Sequence, residues 1–312
     1  MAQFTIYRST DSSAPVLTGA VGDLVNLLDK CLVAGYGSKS AAGWTKAYTG
    51  TNKAAFQQGS GSNSMLLRVQ DDAAVTAKEA RLTMYETMSS VDAGTGSFPS
   101  ASYLLGRKSN TADATARAWI VIADARTAYV GVLTGDVAST YFWFMAGEFY
   151  SLVSSDNYRV IFTARGVENS ALAGSERFGL LSSTIGSATS NHYVARGHTG
   201  LGGAIIPSIT GDAAKGGGSG VFGVGGVPFT NPADGALMVS PLWISDPTTT
   251  PVNGVRGRLR GIWHFLHPAA SVADGDTFSG VGDLSGKTFL CVKSLGVGGV
   301  LIVETSNTVE TN

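Results

Sequence analysis

The sequence predicts a mainly β protein: antiparallel β-sandwich or barrel-like sheets with long glycine-rich loops and one N-terminal amphipathic helix. β-branched and aromatic residues recur in runs of five or six that end at turn residues, which is typical of antiparallel strands. The clearest helical pattern is confined to one stretch, 21–32, where apolar residues recur at three- and four-residue spacing. One helix among many strands favours a sandwich or a barrel.

The predicted central sheet lies between Arg117 and Arg165. Three β-rich segments follow one another there, at 118–122, 128–133 and 158–162, and an aromatic-rich stretch at 141–150 stands close by. We expect the three segments to be neighbouring antiparallel strands that form the core.

The part of the chain before the central sheet contains shorter elements. In order, these are a strand at 4–7, the helix that Gly35 ends, an ordered loop at 36–44, a hairpin of 54–58 with 65–69, a strand at 81–86 and a Gly/Ser/Asp connection at 91–99. In the strand at 81–86, Leu82 and Met84 share one face.

After the central sheet the pattern weakens, and glycines concentrate at 216–226. This stretch is either a mobile linker or a loop whose backbone packs closely against itself or a neighbouring subunit. Interleaved Val221, Phe222 and Phe229 favour the ordered loop. Strand patterns return at 238–244, 256–265, 288–292 and 299–303, and the last two face each other across 296–298. We therefore divide the chain into 1–165, the glycine-rich 166–235, and 236–312, which packs with the first region as one unit.

Composition and charge exclude several functions. Charged residues make up 14% of the chain, against roughly 25% in typical soluble proteins, and the net charge is −1. No basic cluster is longer than 256–260, so we expect no nucleic-acid binding. The N-terminus has no basic leader before an apolar segment, and no run approaches the roughly 18 apolar residues of a membrane span. Cys31 and Cys291 are expected to be buried reduced thiols of a protein made in a cytosol, with a disulfide as the alternative.

Two loop patterns look like ligand motifs and lack essential parts. Gly286-Lys287-Thr288 resembles the end of a phosphate loop, but a strand pattern follows it where a helix is needed. Asp274 and Asp276 begin like a calcium loop, but the later oxygen ligands and the closing Glu are missing. We expect a plain turn at 274–280, and we predict no metal-binding and no cofactor-binding residues.

Catalytic groupings are equally incomplete. His264 and His267 would point to opposite faces of a strand, and His192 and His198 are predicted to lie in a glycine-containing loop. Ser219 lacks the second glycine of a nucleophile elbow. The candidates for a glycosidase-like carboxylate pair are Glu86, Asp92, Glu148 and Glu168, and a solvated side chain is the preferred interpretation of each. We predict no catalytic residues.

Aromatic residues amid Ser, Thr and Asn are candidates for stacking on sugars. The candidate residues are Trp44, Tyr48, Trp119, Trp143, Trp243 and Trp263. Most of these tryptophans lie in apolar strand patterns, which favours packing in the core.

Several segments together resemble a family of structural proteins encoded in tailed-bacteriophage genomes. They are 4–7 with 9–15, the helix at 24–32, 35–46 (Gly-Tyr-Gly-Ser-Lys-Ser-Ala-Ala-Gly-Trp-Thr-Lys), 50–54, 85–88, 94–99, 117–120 and 258–263. The resemblance covers most of the chain, and 197–235 is left unaligned. It implies a virion component without a known active site, so it supplies no functional residues.

The sequence therefore predicts a non-enzymatic virion structural protein that is made in the bacterial host cytoplasm and forms symmetric oligomeric contacts. Its expected partners are copies of itself and other virion proteins, with the tail, neck or baseplate preferred over capsid decoration. The alternative is a receptor- or glycan-binding module of the adsorption apparatus, in which a loop with Asn191, His192 and Tyr193 faces a host surface glycan. A depolymerase would additionally need carboxylates that converge in a groove.

Overall fold

A computed structural model of the chain describes residues 4–72, 77–100, 102–136, 141–166, 190–205, 208–210, 237–246, 254–267, 272–294 and 299–306. The described part is mainly β, with curled antiparallel sheets, and this confirms the predicted fold class. No helix within these ranges has the length and apolar character needed to cross a membrane.

Nineteen strands build two sheets in the described residues. In chain order they are β1 (Thr5–Arg8), β2 (Thr45–Gly50), β3 (Lys53–Gln57), β4 (Leu66–Gln70), β5 (Glu79–Ser90), β6 (Ala93–Phe98), β7 (Leu104–Arg107), β8 (Trp119–Ala123), β9 (Thr127–Val132), β10 (Phe142–Glu148), β11 (Tyr150–Ser151), β12 (Val160–Arg165), β13 (Ser190–Val194), β14 (Ser208–Thr210), β15 (Val239–Asp246), β16 (Gly254–Phe265), β17 (Thr277–Ser279), β18 (Thr288–Ser294) and β19 (Gly299–Glu304).

The larger sheet has twelve strands in the order β1-β8-β9-β10-β12-β7-β5-β4-β3-β2, with β13 beside β12 and β6 beside β5. The smaller sheet has seven strands in the order β14-β15-β16-β19-β18-β17, with β11 beside β16. The strands pair in antiparallel fashion, for example with Val121 of β8 opposite Val130 of β9. The strands predicted at the C-terminal end are confirmed, and β18 and β19 pair with each other as expected.

The helix begins at Asp23 and continues as a π-helical segment. Helix α1 spans Asp23–Leu28, the π-helical turns span Asp29–Ala34, and Gly35 follows with φ +76°. The chain reverses at Gly35 in a left-handed conformation that favours glycine, as predicted. The buried face of the helix is Leu24, Leu27, Leu28, Cys31 and Leu32.

The central region differs from the prediction in its strand order. The aromatic stretch forms β10, which lies between β9 and β12, so the third predicted segment is not a neighbour of the second. The six residues of β9 and the seven of β10 are all buried. Because both faces of this part of the sheet are covered, its strands are continuous apolar runs.

Two predictions of irregular structure were wrong. The connection expected at 91–99 contains β6, which pairs with β5, and the loop expected around His192 is strand β13, which pairs with β12. Strand β2 was not singled out by its sequence. β2 and β6 are largely exposed and rich in small or polar residues, so backbone pairing rather than side-chain burial specifies them.

Alternate side chains of the central strands enter two different cores. Val121 and Val130 face the helix in the first hydrophobic cluster, whereas Ile120, Ile122 and Tyr129 face the smaller sheet in the second. This alternation is the two-residue period of a β-strand. The second cluster also contains Leu242, Ile244, Leu259 and Ile262, so it joins the two sheets.

The two cysteines lie in separate cores. Cys31 belongs to the first hydrophobic cluster and Cys291 to a third cluster within the smaller sheet; both are free and fully buried. Burial raises the pKa of each thiol, to about 11 for Cys291 and further for Cys31. The prediction that both thiols are buried is confirmed, and no bond joins them in the structure. The glycine-rich stretch at 216–226 lies outside the described residues.

Candidate functional site

A cleft opens where the β5–β6 hairpin curls over one face of the larger sheet. Beyond Tyr85, which pairs with Leu66, the hairpin bends back across β4, β3 and β2. Its tip reaches Arg68 in the middle of β4, whose Nε donates to the carbonyl of Val91 at 2.7 Å. This open cleft has a volume of about 330 Å³ and is lined by Ala47, Tyr48, Gln57, Asn63, Ser64, Leu66, Glu86, Thr87 and Met88.

The strand register explains which side chains form the floor of this cleft. Gln57 of β3 pairs with Leu66 of β4. Ala55 of β3 pairs with Arg68 of β4 on one side and with Tyr48 of β2, next to a β-bulge, on the other. All of these side chains therefore lie on one face of the sheet. The opposite face, with Phe56, carries the first core. The hairpin therefore covers a face that would otherwise be open, and it buries Leu66 to 4% exposure.

The tip of the hairpin is held by surface ion pairs. Asp92 contacts Arg68 and lies 3.5 Å from Lys53, and the hydroxyl of Tyr48 donates to the carbonyl of Met88 at 2.7 Å. The hydrogen bond from Arg68 lowers the pKa of Asp92, and Lys53 adds to this effect. Because the Asp92 side chain is 56% exposed, solvent screens these pairs and each contributes little.

The base of the hairpin is held by a more defined contact. Arg196 donates from Nε and Nη2 to the two carboxylate oxygens of Glu86, at 2.6 and 2.7 Å. The guanidinium lies over the ring of Tyr158, 4.7 Å from its centre. The hydrogen bond to Glu86 raises the pKa of Arg196. A bidentate pair stacked on an aromatic ring fixes both side chains in one orientation.

Gly96 makes room for the Glu86 side chain. It has φ +64°, and a Cβ at this position would lie 2.5 Å from Cδ of Glu86. On the other side of the Glu86–Arg196 pair is a second cleft of about 210 Å³, lined by residues that include Ser97, Ser100, Arg196 and Gly202. Glu86 therefore forms a wall between two clefts.

The first cleft presents amide and hydroxyl groups. Gln57 donates from Nε2 to the carbonyl of Ser64 at 3.0 Å, and the hydroxyls of Thr87 and Thr95 are 2.7 Å apart. The backbone N–H of Asn63 donates to Glu148, whereas its side-chain Nδ2 is buried and has no hydrogen-bond partner among the described residues. Glu86 is the only carboxylate among the described residues of this lining, so the arrangement suits binding rather than proton transfer between two carboxylates.

Of the four carboxylates singled out in the sequence, the three that the structure describes each bind arginine rather than one another. Glu86 binds Arg196 and Asp92 binds Arg68. Glu148 is fully buried near Arg126 and Arg159, and its burial raises its pKa. Glu168 lies outside the described residues.

The histidines are hydrogen-bonded rather than clustered. His192 contacts Thr163 Oγ1 through Nδ1 at 2.9 Å, and burial lowers its pKa to about 4. Nδ1 of His198 lies 3.1 Å from Asp246, and His267 Nε2 accepts from the N–H of Met238 at 2.6 Å. His264 is buried in β16. In the described ranges, no three His, Cys, Asp or Glu side chains are placed to hold a metal ion.

The two loop patterns behave as turns. Strand β18 follows Gly286-Lys287, and Lys287 binds Glu304 at 2.7 Å rather than facing a phosphate site. Asp276 accepts a hydrogen bond from the N–H of Ala273 at 2.6 Å, and Gly275 has φ +88°. The turn predicted at 274–280 is confirmed only at its start, around Gly275, because Thr277–Ser279 within the predicted range form strand β17. Ser219 lies outside the described residues.

Most of the tryptophans pack in the core, as predicted. Trp44, Trp119, Trp143 and Trp263 are at most 6% exposed, while Trp243 and Tyr48 are partly exposed. The guanidinium of Arg258 lies 5.1, 5.9 and 5.7 Å from the ring centres of Tyr150, Trp243 and Trp263, respectively. Of the residues that line the first cleft, only Tyr48 and Glu86 were named as candidate functional residues from the sequence.

No family model matches the chain, and no curated protein matches it in sequence.

Proposed function

We propose that the chain is a non-enzymatic structural protein of a tailed-bacteriophage virion that acts through contacts with copies of itself and with other virion proteins. The resemblance of segments along the chain to phage structural proteins motivates the proposal. The use of buried ionisable groups as internal cross-links is the observation that supports it within this molecule.

These cross-links connect segments that are distant in sequence. Arg260 of β16 donates to Asp124 from Nη1 and Nη2 at 3.1 and 2.7 Å, and so ties the smaller sheet to the larger one. Arg256 binds Asp156 twice at 2.8 Å, and Arg107 binds Glu79 and Asp136 at 3.1 and 2.7 Å. Each of these side chains is at most 5% exposed. Groups held in this way stiffen a scaffold and are not available to a substrate.

The β2 end of the larger sheet is a surface suited to contacts between copies. β2 ends the strand order, and Thr45, Lys46, Ala47 and Thr49 on it are exposed. A strand at a sheet edge can pair with a strand of another chain. Two copies that pair through β2 would form an isologous contact with two-fold symmetry.

We prefer a position in the tail, neck or baseplate over capsid decoration, because long glycine-rich segments suit contacts that wrap around neighbouring subunits. The second candidate function is a receptor- or glycan-binding module of the adsorption apparatus. The cleft under the β5–β6 hairpin favours this second candidate, because its lining offers amides and hydroxyls beside an aromatic ring.

Mass spectrometry of purified particles of the phage that encodes this chain tests the structural role. We expect peptides of the chain in the particles at a ratio to the other virion proteins that stays constant across gradient fractions. A chain found only in the infected-cell lysate, and absent from washed particles, would refute the proposal.

Light scattering on the isolated protein tests the edge contact. If β2 joins copies, the double variant Thr45→Lys/Thr49→Lys places like charges along the edge and shifts oligomers towards monomers. The control is Val281→Lys, at a position that is 60% exposed and away from β2. Equal masses for the wild type and both variants would show that β2 is not the contact.

A further inference from the structure

We infer that the cleft under the β5–β6 hairpin binds a neutral, hydroxyl-rich ring of the size of one sugar unit. The inference names a ligand class for the second candidate function and rests on it. It concerns the isolated chain, so its test does not require a virion.

The size of the cleft limits the ligand. A volume of about 330 Å³ lies at the lower end of the roughly 300–1,000 Å³ that small-molecule sites span. The hairpin forms one wall of the cleft, and the hydroxyl of Tyr48 holds Met88 of this wall in place. One ring fits such a space, whereas an extended polymer would have to leave it on one side.

The charge of the lining favours a neutral ligand. Both oxygens of Glu86 accept hydrogen bonds from Arg196, so the negative charge of this carboxylate is compensated. Arg68 and Lys53, which lie on the strands under the hairpin, are engaged by Asp92 at the hairpin tip. Neither an anion nor a cation would find an uncompensated opposite charge among these groups, and each would lose hydration on entry.

The hydrogen-bonding groups favour hydroxyls. Asn63 and Gln57 each carry one donor group and one acceptor group on their amides, and Ser64 and Thr87 add hydroxyls. A sugar hydroxyl both donates and accepts, so adjacent hydroxyls can meet an amide N–H and an amide carbonyl at once. The side-chain Nδ2 of Asn63 is buried and has no hydrogen-bond partner among the described residues, so an acceptor that reached it would satisfy this donor.

The remaining lining is apolar and suits the carbon face of a ring. Tyr48 contributes an aromatic side chain that is rigid and has one polar end, and Leu66 and Met88 contribute alkyl groups. A flat aromatic side chain beside amides can hold a ring through its C–H face while the amides orient its hydroxyls.

Isothermal titration of the purified full chain with methyl glycosides of glucose, galactose and N-acetylglucosamine tests the inference. We expect saturable binding of at least one of them with a Kd on the order of 1 mM, which is typical of a small ligand with few contacts. Gln57→Ala should weaken binding by about tenfold or more, because it removes an amide from the lining. Gln70→Ala is the matched control, because Gln70 lies at the opposite end of the β3–β4 pair and outside the cleft.

Three results would each overturn the assignment of a sugar-sized ligand to this cleft. The first is no saturable binding of any of the three glycosides up to about 50 mM. The second is an equal loss of binding in Gln70→Ala, and the third is preferential binding of methyl glucuronide or of a blocked tri-alanine peptide. Thermal unfolding of each variant checks that it is folded, and Thr87→Val gives a second cleft variant if Gln57→Ala does not fold. Failure in this assay leaves the virion proposal standing, because that proposal is tested on particles.

Discussion

Removal of the Lys108 ammonium should destabilise the protein more at neutral than at acidic pH. Lys108 and Asp71 form an ion pair in which both side chains are fully buried. Asp71 also accepts a hydrogen bond from the N–H of Leu24 at 2.9 Å, at the start of α1. Burial raises the pKa of Asp71 from its usual value to about 6, although Lys108 acts in the opposite direction.

The sign of the pH dependence follows from this raised pKa. The favourable contribution of protonated Asp71 is fully present below the pKa of the unfolded chain, near 4, and is lost as the pH rises through about 6. Since each pKa unit corresponds to about 1.4 kcal/mol, ionised Asp71 costs the folded state about 3 kcal/mol above that pH. Lys108→Met removes the partner that limits this cost.

We expect Lys108→Met to lower the free energy of unfolding by about 2 kcal/mol at pH 7.5, because protonation of Asp71 limits the total cost of burying it to about 5 kcal/mol and the wild type already bears about 3 of this. At pH 5 the loss should be at least about 1 kcal/mol smaller, since Asp71 takes up a proton in the folded variant. Urea unfolding followed by tryptophan fluorescence at the two pH values measures both quantities.

Lys53→Met is the matched control for this experiment. The Lys53 side chain is 24% exposed and lies 3.5 Å from Asp72 and Asp92, so we expect a loss below about 1 kcal/mol at either pH. The reasoning is wrong if Lys108→Met costs no more than Lys53→Met, or if its cost is the same at pH 5 and 7.5.

Three further predictions test other parts of the fold. Gly261→Ala should lower the free energy of unfolding by about 1–3 kcal/mol more than Gly202→Ala, as measured by thermal unfolding. Both glycines have positive φ, but only at Gly261 would a Cβ meet another side chain, at 2.2 Å from the ring of Phe4. Equal losses would contradict the packing described. Because the pKa of His192 is lowered in the folded protein, the unfolded chain protonates this imidazole at a higher pH than the folded chain does. The free energy of unfolding of the wild type should therefore fall between pH 6.5 and 4 by more than that of His192→Gln. Equal falls in the two proteins would contradict this. A thiol reagent at pH 8 should label neither cysteine in the folded protein and both in denaturant, and rapid labelling of the native chain would show that the described burial is wrong.

The sequence predicted the strands correctly where their side chains are buried. The runs that form β8 and β9 are apolar on both faces because one face packs on the helix and the other on the smaller sheet, so their residue types alone identify them. β6 reads Ala-Gly-Thr-Gly-Ser-Phe and lies mostly in solvent, so nothing in its residue types separates it from a loop. The strand order of the central sheet was misjudged because the aromatic stretch inserts between segments that look alike.

The cleft was beyond the reach of sequence patterns. Glu86 and Arg196 are 110 residues apart, and Asn63 and Glu148 are 85 residues apart. Helical and strand periodicities relate only residues within a few positions of each other, so they carry no information on such pairs. Gln57 and Asn63 have no distinctive spacing, and only the bend of the hairpin across β4 brings them together with Glu86.

The contact between Phe4 and the C-terminal half of the chain constrains how the molecule is made. The ring of Phe4 packs on Tyr129 and against Gly261, and the hydroxyl of Tyr129 donates to the carbonyl of Arg260 at 2.8 Å. Residue 261 must therefore leave the ribosome before the first strand acquires its final neighbours. Until then the nascent chain exposes the apolar side of β8 to β10, so truncations before β16 should aggregate.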